Sequence, residues 1–143
     1  FMIKELITLW EKNKATLRND ILANELEYRI CEYSDIVDKM VKIIFNNNGE
    51  SDKWQSGENI TEIDNGDYQG TLLYMIPMNS YQPSESEYAL TTVYYGSCSA
   101  CDSLQSAQNE SLDVMADDIM TMALHLVQKT IIPYKEDYIE YFD

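Results

Sequence analysis

Two cysteines lie two residues apart in the stretch YYGSCSACDSLQ, which runs from Tyr94 to Gln105. A Cys-x-x-Cys pair lets two thiolates bind one zinc ion, and it forms a redox pair where a strand leads into a helix. The stretch also fits a tight turn, because glycine permits a sharp reversal and serine hydroxyls bond to local backbone groups. We favour this structural interpretation, with Asp102 capping a short helix. The motif consists of Gly96, Ser97, Cys98, Cys101 and Asp102.

A zinc site is the main alternative for these cysteines. The other soft ligands of the chain, Cys31 and His125, stand alone in different predicted helices. A site would therefore consist of Cys98, Cys101, Cys31 and His125, in a zinc-stabilised domain or a small metalloenzyme. A redox pair has less support, because the parallel βαβ framework of thioredoxin-like proteins is missing. Three cysteines also have the wrong parity for a disulfide framework, so we expect reduced thiols and no cofactor unless zinc binds.

Catalytic motifs of other kinds are missing from the sequence. It contains no phosphate-binding glycine loop and no G-x-S-x-G, and it has a single histidine. Carboxylate pairs are so common in this acidic chain that they identify no active site. We therefore expect a protein that is not an enzyme.

The charge of the chain is strongly negative and unevenly placed. The formal net charge is −15, yet residues 1–42 are nearly balanced, whereas residues 43–128 hold thirteen acids and one base, Lys53. Such a surface repels phosphate backbones and anionic membranes and attracts basic proteins. The expected partner is thus a basic protein, with no direct binding to nucleic acid or membrane. The alternative is that the acidity only maintains solubility.

Tyrosine is the other abundant functional group, with eleven among 143 residues. Its large rigid ring with a polar end is enriched in protein interfaces, although half-buried packing would explain each tyrosine singly. Candidate binding residues are acids of a predicted long helix and tyrosines outside the predicted core. They are Asp113, Asp117, Asp118, Tyr81, Tyr134, Tyr138 and Tyr141.

Hydrophobic spacing predicts the elements that position these groups. Helical spacing begins at Ile3, resumes near Ser34 as the cap of a second helix, and returns after Ser111 in a long helix. Strand-like segments lie at 59–63, 68–76 and 88–95, with a type I′ hairpin turn at Asn65-Gly66 between the first two.

This order predicts an α+β domain, in which a small three-stranded antiparallel meander packs with about three helices on one face. A single domain covers 1–143. Its parts are a helical part at 1–48, antiparallel strands at 59–96, the cysteine turn and long helix at 97–132, and an acidic aromatic tail at 133–143. No uninterrupted apolar run approaches the roughly 20 residues of a membrane span, and no leader is visible, so we expect a soluble intracellular protein.

Three stretches resemble a group of small tailed-bacteriophage proteins that share a Gly-Ser-Cys-Ser-x-Cys-Asp motif. The stretches are NGDYQGTLLYMIP, YQPSESEYALTTVYYGSCSACDSLQ and LHLVQK, and the resemblance covers about residues 60–130. It implies a phage or prophage product acting in the cytoplasm of the bacterial host, but the group has no activity to carry over.

Many small acidic phage proteins block host or defence proteins, some by imitating the charge of DNA. By that analogy we expect a binder and inhibitor of a basic, nucleic-acid-handling host or defence protein, in other words an anti-defence or host-takeover factor. A virion component is a further alternative, and the sequence leaves a homo-oligomer open.

Overall fold

The computed structural model describes residues 3–132, and this part of the chain forms a small α+β domain with an open antiparallel sheet. The helices are α1 (Ile3–Ala23), α2 (Glu25–Arg29), α3 (Tyr33–Lys39), α4 (Ser103–Gln108) and α5 (Leu112–Lys129). The strands are β1 (Thr61–Asp64), β2 (Gly70–Pro77) and β3 (Tyr88–Tyr95). The predicted fold class is confirmed.

The sheet is a meander in the order β1-β2-β3. In its register, Tyr74 lies between Glu62 and Thr91, and Leu72 lies between Asp64 and Val93. Successive side chains of a strand point to opposite faces, so these residues share the face that packs on the helices. Leu72 and Tyr74 are buried there. The carboxylates of β1 therefore lie on the same face as the core, at its margin.

The helices form the other layer. α1 packs on α5 and on the π-helix Met40–Phe45 that continues α3, while α5 also contacts α4 and β3. The apolar residues at helical spacing in α5 include Met115, Ile119, Met122 and Leu126, all of which are buried. Each such side chain contributes about 1.5–3 kcal/mol of burial free energy, which explains why the long helix docks on this face. Among residues 3–132 no helix has both the length and the hydropathy that crossing a bilayer requires.

The second predicted helix begins slightly earlier than expected, because Glu32 and not Ser34 is its N-cap. The Glu32 side chain accepts the backbone N–H of Asp35, and the Asp35 carboxylate accepts the N–H of Glu32 at 2.8 Å. This reciprocal capping box satisfies two donors that a helix end leaves open. The shift of start places Tyr33 in the first turn, where its side chain points into the core.

The connection between α3 and the sheet is held by one buried amide. Asn46, 8 % exposed, donates through Nδ2 to the carbonyl of Trp54 at 2.9 Å and accepts the N–H of Trp54 at 3.0 Å. Asn47 and Asn48 between them adopt left-handed backbone angles. The pair of bonds closes the turn and seats the Trp54 ring in the core.

The hairpin between β1 and β2 is wider than predicted. Neither Asn65 nor Gly66 has a positive φ, so the type I′ turn is wrong, and five residues, 65–69, connect the strands. Side chains close the loop instead: Asp64 accepts the N–H of Gly66 at 2.9 Å, and Asn65 accepts that of Thr71 at 2.7 Å. These side-chain hydrogen bonds stabilise the reversal of the chain, which in a two-residue turn depends on positive backbone angles.

Candidate functional site, an acidic groove

The cysteine turn is a compact structural unit after β3. Cys98 and Cys101 are joined as a disulfide, whereas Cys31 is a free, buried thiol. The expectation of reduced thiols is therefore wrong for the pair in this structure. Gly96 is required because an added Cβ would collide with the backbone of Cys101. The close approach of the Cys101 backbone thus explains why glycine occupies the first position of the predicted turn.

Asp102 fastens this turn to the rest of the molecule. Its carboxylate is 3 % exposed and accepts the Tyr33 hydroxyl at 2.8 Å and the backbone N–H of Gly96 at 3.0 Å. The second oxygen accepts the N–H of Gln105 at 3.0 Å, which confirms Asp102 as the N-cap of α4. The Tyr33 hydroxyl in turn accepts the N–H of Leu104 at 3.2 Å. One buried carboxylate thereby joins β3, α3 and α4.

The residues named for a zinc site are not gathered in this structure. Within residues 3–132, no three side chains of the types His, Cys, Asp and Glu lie together as a metal site needs. Burial raises the pKa of the Cys31 thiol to about 11, which disfavours the thiolate that zinc binds. His125 is exposed on α5, and the disulfide occupies the other two sulfurs. As arranged here these residues do not fit zinc, and the zinc alternative stays a prediction.

A groove of about 370 Å³ opens beside the turn, between the hairpin end of the sheet and the starts of α3 and α4. Four acids of the described part of the chain line it, and no lysine or arginine does. The acids are Glu32, Glu62, Asp64 and Asp102. Since Asp102 is committed to the turn, the exposed acids of the groove are Glu32, the N-cap of α3, and Glu62 and Asp64 of β1. We call it the acidic groove.

Tyrosine hydroxyls orient the two β1 carboxylates. Tyr74 donates to Oε2 of Glu62 and Tyr95 donates to Oδ1 of Asp64, both at 2.7 Å. The N–H of Gly66 and then the Tyr95 hydroxyl lower the pKa of Asp64. The same bond to Asp64 raises the pKa of Tyr95 to about 12. At neutral pH the pair is thus a carboxylate held by a neutral phenol.

Each of these carboxylates keeps one oxygen for another donor. Within residues 3–132, Oε1 of Glu62 and Oδ2 of Asp64 accept no hydrogen bond from the protein. Because β1 is extended, the two side chains stand on one face with about 7 Å between their Cα atoms. The arrangement presents two fixed anionic acceptors in a row.

Most bases of residues 1–42 form ion pairs away from the groove. In the described part, ion pairs from residues 1–42 reach two of the thirteen acids of 43–128, Glu50 by Lys12 and Asp117 by Arg18. The other ion pairs of these bases stay within residues 1–42. The groove acids are therefore left without a neutralising base from the amino-terminal helices.

The structure separates the binding residues predicted from sequence. Asp113, Asp117 and Asp118 are exposed on α5, and Tyr81 is 97 % exposed in the loop before β3. None of these four lines the acidic groove. The remaining predicted residues, Tyr134, Tyr138 and Tyr141, lie outside the described residues.

Sequence reasoning did not select Glu62, Asp64 and Tyr95 for the site. Their signal is present in the pattern, because Glu62 and Asp64 are two residues apart in a strand and must share a face.

In comparisons with known protein families, curated proteins and solved structures, this chain has no match.

Proposed function

We propose that this protein is a phage-encoded binding protein, not an enzyme, whose acidic groove takes a basic segment of a host or defence protein that handles nucleic acid. Binding there blocks the partner. The observation that supports the proposal is a groove lined by four acids and, among the described residues, by no base. Two of its carboxylates are fixed by tyrosine hydroxyls and keep an oxygen for an incoming donor.

Arginine is the cation that suits this groove best. Its planar guanidinium holds five N–H donors in a fixed fork, so one donor can bond the remaining oxygen of a groove carboxylate while the others bond neighbouring acceptors. It is also less strongly hydrated than an ammonium group. Glu62 and Asp64 are pre-oriented, so less side-chain entropy is lost when a guanidinium binds than with freely rotating carboxylates. We therefore expect arginine-rich segments to bind more tightly than lysine-rich ones of equal charge.

The charge layout supports the inhibitory part of the proposal. The excess of acids over residues 43–128 attracts a basic surface at a distance, and the attraction falls as salt shortens the Debye length. A basic segment engaged by the groove is no longer available to phosphate groups, since both compete for the same cations. Inhibition then follows from occupancy without any chemical step.

The test uses the full-length chain and a fluorescent arginine-rich peptide, with affinity measured by anisotropy over a salt series. The groove variant carries Glu62→Gln and Asp64→Asn, which keep the acceptors for Tyr74 and Tyr95 but remove two charges. The matched control carries Asp113→Asn and Asp118→Asn, so the same charge is lost from α5. We expect the groove variant to lose about tenfold or more in affinity and the control less than about threefold.

Equal losses in both variants would mean that total charge and not the groove attracts the peptide. Failure of the wild-type chain to bind basic peptides in a salt-sensitive way would remove the proposed function altogether.

A further inference from the structure

β1 is the open edge of the sheet. Within residues 3–132 its only strand partner is β2. The opposite edge is occupied at one point, because Ile131 and Leu90 exchange backbone hydrogen bonds at 2.8 and 2.9 Å. An open edge presents a row of backbone N–H and C=O groups that another chain can pair with.

The register identifies which groups face outwards. The N–H of Asn65 donates to the carbonyl of Thr71 across the strand pair. In an antiparallel ladder, hydrogen-bonded residues alternate with residues whose N–H and C=O point away from the partner. Ile63 therefore bonds with β2, whereas Glu62 and Asp64 direct their backbone groups to the open edge. These are the same two residues whose carboxylates line the acidic groove.

The two faces of the edge differ in chemistry. On the groove face stand the carboxylates of Glu62 and Asp64, and on the other face Ile63 is 48 % exposed next to Leu73. Like charges at this edge would oppose its pairing with the same edge of a second copy. A strand of opposite charge would instead meet complementary side chains on one face and an apolar neighbour on the other.

We infer that the partner's segment adds to β1 as an extended strand, with arginine or lysine at alternate positions on the groove face and apolar residues between them beside Ile63. This inference rests on the proposed function and specifies the conformation of the partner. Backbone bonds to Glu62 and Asp64 supply affinity, and their carboxylates select the basic residues, as in other cases of strand addition. Alternate basic residues of the added strand would match Glu62 and Asp64 in spacing, since same-face residues of two paired strands repeat at the same interval.

The experiment compares four peptides on the full-length chain. The parent alternates arginine and valine, and two derivatives are N-methylated at every arginine or at every valine. The fourth alternates arginine and proline, whose φ of about −65° disfavours the extended strand conformation at every second residue. N–H groups of alternate residues in a strand point to opposite edges, so methylation of one set only should abolish pairing. We expect the parent to bind at least about tenfold more tightly than one methylated peptide and the proline peptide, and within about threefold of the other methylated peptide.

Amide hydrogen exchange supplies a second measurement. With the parent bound, the amides of Glu62 and Asp64 should gain protection that the proline peptide does not give. Equal affinity of all four peptides, with salt-sensitive binding retained, would overturn strand addition and leave the proposed function standing. Absence of binding by every arginine peptide would overturn the proposed function and this inference with it.

Discussion

The Tyr33 hydroxyl is the most informative single group to remove, because it connects two buried partners. It donates to Oδ1 of Asp102 and accepts the N–H of Leu104, so the substitution Tyr33→Phe breaks both bonds while the ring still fills its place. Tyr33 is buried, and burial raises the pKa of its hydroxyl, so it remains a neutral donor at physiological pH. The loss cannot be repaired by a simple rotation of the ring.

The cost can be worked out from the two bonds. A hydrogen bond to a charged acceptor contributes about 1.5–3 kcal/mol, and a buried N–H left without an acceptor costs about 1–3 kcal/mol. Both terms arise from one hydroxyl and are not fully additive, which gives about 3 kcal/mol in total. In a domain of this size that corresponds to a fall in Tm of roughly 6–12 °C.

Urea unfolding followed by circular dichroism measures the change in unfolding free energy. The matched control is Tyr81→Phe, which removes the same atom from a ring that is 97 % exposed and should change stability by less than about 0.5 kcal/mol. If Tyr33→Phe is as mild as the control, the buried link between α3 and the cysteine turn does not hold. A double-mutant cycle with Asp102→Ala, which removes the acceptor, isolates the coupling between the two side chains, which we expect at about 1–2 kcal/mol.

Three further predictions concern separate features. Tyr95→Phe should raise the pKa of Asp64 part of the way to its ordinary value, which a carboxyl NMR titration measures. An unchanged titration midpoint would show that the Tyr95 hydroxyl does not lower this pKa. Because the folded pKa of Asp64 is lowered, its contribution to stability is present above the ordinary value and is lost as pH falls through the folded one, so Tyr95→Phe should reduce that contribution at neutral pH. Thiol counting on denatured protein should find only Cys31 before reductant and all three cysteines after it; three before reductant would contradict the disulfide. Asn46→Ala should cost about 2–4 kcal/mol in urea unfolding, since two buried hydrogen bonds between its side chain and the backbone of Trp54 are lost, against less than about 0.5 kcal/mol for the exposed Asn59→Ala; equal costs would contradict the role given to Asn46.

Sequence reasoning succeeded where one local pattern dominates. The third strand, predicted at 88–95, coincides with β3. The long helix predicted after Ser111 is α5, and apolar residues at helical spacing along it are buried. In both segments the hydrophobic period is strong, and nothing in the chain competes with it. Asp102 as a helix cap was accessible for the same reason, since capping is decided within a few residues.

The misses have a common physical cause, which is competition between side chains. Ser34 is a good cap by type, but Glu32 and Asp35 satisfy two donors together and so fix an earlier start. Asn65-Gly66 favours a tight turn, yet the carboxylate of Asp64 and the amide of Asn65 bond to a wider loop. Local propensity ranks residues singly, and these outcomes depend on pairs.

The acidic groove could not be predicted from local patterns in the sequence, because it is formed by contacts between residues far apart in the chain. Tyr33 and Asp102 are 69 positions apart, and the donors that orient Glu62 and Asp64 come from β2 and β3. The uneven charge predicted an anionic surface, but only the sheet register and the tyrosine hydrogen bonds show which carboxylates stand together, each with an oxygen that accepts no bond within residues 3–132. The expected partner chemistry therefore came from composition, and the candidate site came from tertiary structure.

The cysteine turn and the acidic groove are structurally coupled through Tyr95 and Gly96. Tyr95 is the last residue of β3, and the next residue, Gly96, donates its N–H to the buried carboxylate of Asp102. The hydrogen bond from Gly96 to Asp102 therefore also fixes the position of the neighbouring Tyr95, whose hydroxyl donates to Asp64. A motif that suggested metal or redox chemistry thus positions one of the two tyrosines that orient the groove carboxylates. Under the proposed function, these residues contribute to binding by holding Tyr95 in place, without contact between their sulfur atoms and the partner.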